Sequence, residues 1–66
     1  MKVERISNTM VWVRHKGVDA YVRLRTDGLW EARFKGRWVI APSKEETIAK
    51  VQLVIQEINR QASTSS

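Results

Sequence analysis

Three tripeptides ending in glycine punctuate the middle of this chain: HKG at 15–17, TDG at 26–28 and FKG at 34–36. Around them polar and apolar residues alternate, and the apolar ones are mostly Val, Ile, Trp, Tyr and Phe. Alternation sends neighbouring side chains to opposite faces, which is the period of a β-strand. A glycine between such runs marks a turn, because it reaches the positive φ that tight connections demand. Three turns join four strands, predicted near 9–14, 18–25, 29–34 and 37–41. The connections are too short for a parallel crossover, so the sheet is an antiparallel meander. The early segment KVERI is either a frayed extension or a short extra edge strand.

The pattern changes at APSKEETIAKVQLVIQEINRQ. Ser43 followed by Glu46 fits a capping box, in which the serine oxygen accepts from a backbone N–H three residues on. Pro42 ends the preceding strand, and Glu45 and Glu46 lie where the helix dipole favours negative charge. Ile48, Val51, Val54, Ile55 and Ile58 share one face at helical spacing. The spacing predicts a helix over 44–61. The fold class is therefore α+β: a three- or four-stranded antiparallel meander followed by one C-terminal helix packed on one face. Residues 1–61 form one small domain, and ASTSS at 62–66 is expected to be a flexible tail.

A chain of 66 residues allows a single domain with a marginal core. It has no cysteine, so neither a disulfide nor a thiolate metal site can staple it. A cytoplasmic location is the expectation, nucleoid-associated if the source is prokaryotic. The apolar runs are too short to span a bilayer, and MKVERISNTM lacks the apolar stretch of a signal peptide, so no membrane role is expected. The net charge is +5. Residues 1–42 carry nine of the positive and four of the negative charges, whereas residues 43–66 carry three of each. The whole excess sits on the sheet segment and points to a polyanionic partner.

Parity sorts the faces. Ala20, Val22 and Leu24 share one side of the second strand, and Tyr21, Arg23 and Arg25 the other. A three-residue loop Thr26–Gly28 pairs Arg25 with Leu29 and sends Trp30, Ala32 and Phe34 to the helix. By the same reasoning a three-residue loop Phe34–Gly36 keeps Arg33 and Arg37 together and places Trp38 and Ile40 in the core. At the first turn two registers compete. A two-residue Lys16-Gly17 turn pairs Trp12 with Tyr21 and Arg14 with Asp19 on the open face, whereas a three-residue turn buries Trp12. The first is preferred for its cross-strand pairs. Glu31 is expected to pair with Arg23 or Arg25 across strands.

The open face thus collects Trp12, Arg14, Tyr21, Arg23, Arg25, Arg33 and Arg37 as candidate binding residues. Guanidinium groups bind phosphates bidentately, and aromatics beside them stack on bases. A non-enzymatic nucleic-acid-binding domain, with DNA as the expected partner, is the first reading. The bland alternative is a solvated face whose arginine stems cover apolar sheet. The functional alternative is a protein–protein interaction module, such as an antitoxin-like regulator or a small inhibitor.

The segment LWEARFKGRWVIAPSKEETIAKV resembles the AP2-type DNA-binding domain and the N-terminal domains of phage integrases, chiefly in WEARFKGRW and SKEETIAKV. It covers about half the chain. The same order of elements is similar to the HicB-type antitoxin fold and to PC4-like single-strand binders. The AP2 resemblance implies a small sheet that places Arg23, Arg25, Arg33 and Arg37 in a major groove, with one helix behind. The chain departs from AP2 in lacking a long basic first strand and in having a fourth strand.

Other chemistry is sparse. His15 is the only histidine and is expected in a turn, solvated, without the partners a metal site needs. Asp19, Asp27 and Glu31 are scattered, and no catalytic set or phosphate-loop spacing is present. No enzyme activity, cofactor or metal is expected. Leu53 points away from the apolar helix face and is a candidate homodimer contact.

Overall fold

In the computed structural model, the backbone of residues 1–64 and the side chains of residues 1–61 are described. The order of elements is β1 (Lys2–Ser7), β2 (Met10–His15), β3 (Val18–Leu24), β4 (Trp30–Phe34), β5 (Arg37–Ala41) and α1 (Lys44–Thr64). The strands form one antiparallel sheet in the order β1-β2-β3-β4-β5. The class is α+β as expected, but five strands replace the predicted three or four. KVERI is a full edge strand, paired with β2 from Lys2 opposite Arg14 to Arg5 opposite Val11. All six of its residues are exposed, which is why composition alone left it uncertain. The helix also runs past the predicted end at 61 to Thr64, into the expected tail. Residues 65–66 of that tail lie outside the described residues.

The helix packs across β2 to β5 and does not reach β1. Its core positions are Val51 and Ile55, both fully buried, with Ile48, Val54 and Ile58 flanking them. From the sheet come Val11, Val13, Val18, Ala20, Val22, Ala32, Phe34 and Val39. Ser43 Oγ accepts from the Glu46 N–H at 3.1 Å, so the cap is formed. Thr47 Oγ1 donates to the Ser43 carbonyl at 2.8 Å, which lets a hydroxyl sit fully buried where helix meets sheet.

Turn geometry sets the register, and through it the faces. His15 pairs with Val18 around a two-residue Lys16-Gly17 turn with φ of 51° and 78°. Both central residues are left-handed, as a type I′ hairpin requires. The Thr26–Gly28 loop has three residues: the Arg25 N–H donates to the Leu29 carbonyl at 2.7 Å, and Gly28 has φ 88°. Both follow expectation. The third turn does not. Phe34 pairs with Arg37, so the loop is the two-residue Lys35-Gly36, with φ of 50° and 72°. The expected three-residue loop would have turned Trp38 inward. Instead Trp38 is 57% exposed, and Val39 and Ala41 face the helix.

The physical reason is volume. The layer beneath the helix is built of valines with Ala20, Ala32 and Ala41, all closely covered. Phe34 and Trp30 already fill its flanks. A further indole there would overpack a thin core, which is as destabilising as leaving a hole. Placing Lys35 at positive φ costs roughly 1–2 kcal/mol, and burying the smaller Val39 in the place of Trp38 offsets it.

Candidate nucleic-acid interface

The face away from the helix is ordered by cross-strand pairing. One row runs Glu4, Trp12, Tyr21, Arg33, Trp38 across all five strands. The next runs Met10, Arg23, Glu31, Ile40 across β2 to β5. A third brings Lys2, Arg14 and Asp19 together. Six of the seven candidate residues therefore share one face: Trp12, Arg14, Tyr21, Arg23, Arg25 and Arg33. Arg37 does not. Its partner is Phe34, so it projects on the helix side of an edge strand, where it is exposed. The two-residue turn that expelled Trp38 from the core removed Arg37 from the interface.

At the centre of the face lies a carboxylate. Glu31 is 7% exposed, unusual for an ionisable side chain. Its burial is compensated by donors on three sides. Trp38 Nε1 donates to Oε2 at 2.9 Å, Arg23 Nε to Oε1 at 3.4 Å, and Arg25 lies 3.6 Å from Oε2. Arg25 also pairs with Asp27 at 3.2 Å, and Arg14 with Asp19 at 3.7 Å. The Arg33 guanidinium carbon stands 5.0 Å from the centre of the Trp38 ring, and that of Arg25 stands 5.9 Å from it. Such cation–π contacts hold ring and guanidinium side by side. At the other end of the row Lys2 Nζ lies 5.8 Å from the Trp12 ring centre. Thr9, Met10, Arg23, Arg25, Arg33 and Trp38 surround a shallow concavity of about 510 Å³ with Glu31 in its lining.

Sequence reasoning missed the importance of Trp38 and Glu31. A signal was available for the first. Lys-Gly occurs twice between strand patterns, and both occurrences form the same two-residue turn. Glu31 owes its burial to Trp38 together with Arg23 and Arg25, and it was Trp38's place beside it that residue order did not show.

His15 is a second correction. It ends β2 rather than lying in the turn, and it is half-buried, with Nε2 enclosed and without a hydrogen-bond partner. Leu53 is 64% exposed on the outer helix face. Among the described residues no three His, Asp or Glu side chains gather as a metal site, and no helix is long and apolar enough to cross a membrane.

Two groups give the fold a pH dependence. Desolvation, with smaller contributions from the N-terminal charge and Lys16, pulls the His15 pKa below 6.5. The folded state therefore resists protonation of His15, and stability falls as pH drops below 6.5. The Trp38 hydrogen bond, then the Arg23 bond and the charges of Arg33 and Arg25, hold Glu31 below 4.5 against the opposing effect of desolvation. Its contribution is present above pH 4.5 and is lost as pH falls through its folded pKa. Denaturant midpoints measured from pH 8 to pH 3 are expected to decline in two stages. His15→Gln abolishes the upper stage and Glu31→Gln the lower.

Compared with protein-family models, curated proteins and solved structures, the chain matches none of them.

Proposed function

We propose that this is a non-enzymatic nucleic-acid-binding domain that uses the open face of its sheet, with DNA as the first polyanion to test. The observation that carries the reading is the convergence of Arg23, Arg25 and Arg33 with Trp12, Tyr21 and Trp38 on the one sheet face the helix leaves uncovered. Cations on such a face meet phosphates, and aromatics between them meet bases or sugars. The resemblance of WEARFKGRW to the AP2-type domain points to the same use of Arg23, Arg25 and Arg33; Arg37, which it also implied, stands on the helix side.

The cleanest probe is Arg33, which acts on Glu31 only at a distance, whereas Arg23 and Arg25 pair with it directly. Arg33→Glu is expected to weaken oligonucleotide binding at least about tenfold, since a phosphate contact is replaced by repulsion. Its stability should fall by no more than about 1–2 kcal/mol, since the change loses the contact with the Trp38 ring and sets a second negative charge near Glu31. Arg37→Glu, on the other face, is expected to weaken binding much less. Fluorescence anisotropy at several salt concentrations, with melting curves beside it, reads both. A wild type that binds no oligonucleotide at low salt removes the proposal.

A second reading has its own observation. Trp38, Ile40, Lys50, Leu53 and Val54 line an apolar groove of about 360 Å³ where β5 meets the helix. This edge suits a protein partner, or a second copy meeting through Leu53. A complex that forms without nucleic acid and is lost in Leu53→Asp favours it.

A further inference from the structure

We infer that the open face takes a single strand rather than a duplex, laid across the β-strands along the row Trp12, Tyr21, Arg33, Trp38 with its bases against the aromatic rings. This rests on the nucleic-acid reading and makes it more specific.

The register carries the argument. Trp12 pairs with Tyr21, Tyr21 with Arg33, and Arg33 with Trp38, so the four side chains stand on four successive strands in one line. Strands lie about 4.8 Å apart, which makes the line roughly 14 Å long. That matches a few nucleotides of unstacked chain. Large aromatics normally hide, yet Tyr21 is 52% and Trp38 57% exposed. The Trp38 ring is also held in place, by its bond to Glu31 and by Arg33 beside it. These rings, Trp38 with the Arg33 and Arg25 guanidiniums beside it, are already placed to meet a partner that offers a flat apolar face. Bases in a duplex are already stacked on one another and present only their edges, so these rings have no access to them. Bases of a single strand offer their faces, and stacking tolerates any sequence.

The charges agree. A duplex is gripped through many phosphates, about 6–10 in strong binders, with a steep salt dependence. Here Arg14 is engaged by Asp19, Arg23 by Glu31, and Arg25 by Glu31 and Asp27. Among the described strand residues on this face, Arg33 and Lys2 are the cations without a carboxylate at ion-pair distance, standing beside Trp38 and Trp12; Glu4, opposite Trp12 on the edge strand, closes the row to phosphate beyond Trp12. With Arg14, Arg23 and Arg25 shared with carboxylates, this row of the face presents two cations free of any acid, few for the grip a duplex needs. They suffice to hold the backbone of a strand whose bases are stacked between them.

The test uses the full chain with fluorescein-labelled oligothymidylate of twelve nucleotides and a twelve-base-pair duplex, titrated by anisotropy from 50 to 300 mM KCl. The expected result is at least about tenfold tighter binding of the single strand. Its log–log salt slope should be near −1.4, about 0.7 per phosphate contact for two contacts. Tyr21→Leu and Trp38→Leu should each weaken it about 5- to 160-fold, the range for loss of one stacked base. Gln56→Ala, on the helix, should leave it unchanged. If Trp38→Leu disturbs the fold by circular dichroism, Tyr21→Leu decides alone. A duplex bound as tightly as the single strand, a slope steeper than about −4, or wild-type affinity in Tyr21→Leu overturns the inference while the nucleic-acid reading stands. Absence of binding to either probe at 50 mM KCl overturns both.

Discussion

Phe34→Ala is expected to destabilise the domain by about 3–5 kcal/mol, the range for emptying a buried aromatic site. Phe34 is 7% exposed and belongs to the cluster under the helix. A chain of this length has a total stability on the order of 3–10 kcal/mol, so the variant should be largely unfolded at physiological temperature or melt at least about 12 °C lower. Trp38→Ala, by contrast, should cost less than about half as much, because Trp38 contributes an outward ring and one hydrogen bond to Glu31. The contrast tests the register itself. Were Trp38 buried behind a three-residue loop, its removal would be the more damaging of the two. Thermal denaturation followed by circular dichroism distinguishes the cases, and equal losses would contradict the two-residue Lys35-Gly36 turn.

Ile55→Ala sets two effects of opposite sign against each other. Alanine is the better helix former, by no more than about 0.7 kcal/mol. Ile55 is fully buried against the sheet, and truncating it costs about 2–5 kcal/mol through lost contact and a cavity. Packing wins, so the variant should lose stability despite its higher helix propensity. Leu53→Ala, two residues earlier and 64% exposed, should be neutral or slightly stabilising. Because a lone helix is marginal in water, undocking should melt it with the sheet in a single transition. Helical ellipticity that survives after the tryptophan fluorescence has changed would show that the helix does not depend on the sheet.

Elements whose cause is local were readable from residue order. The β2, β3, β4 and β5 boundaries fall within a residue or two of those expected from alternation and glycine turns. The helix begins where Ser43 and Glu46 place it, because a cap is made between residues three apart. The three-residue Thr26–Gly28 loop could be inferred because Trp30 and Phe34 had to share a face, and the register it imposed set Glu31 against Arg23 or Arg25; the structure pairs it with both. β1 was harder to read, since its residues are all exposed and its definition comes from hydrogen bonding to β2 rather than from burial.

The sequence by itself determined the class of fold, the helix, and the alternation that gathers arginines and aromatics opposite it. Only the tertiary structure decided which aromatics are inside. A strand has a period of two, so one residue more or less in a turn exchanges its faces without changing its composition. At Lys35-Gly36 that choice sent Trp38 out, Val39 in and Arg37 to the wrong side. It was made by the space left under the helix between Phe34 and the alanines, a quantity that exists only once strands and helix are packed together. The same packing turned Glu31 from one acid among several into a buried acceptor, by bringing Trp38 from β5 beside the pairing with Arg23 of β3 and Arg25 at the edge of the following loop.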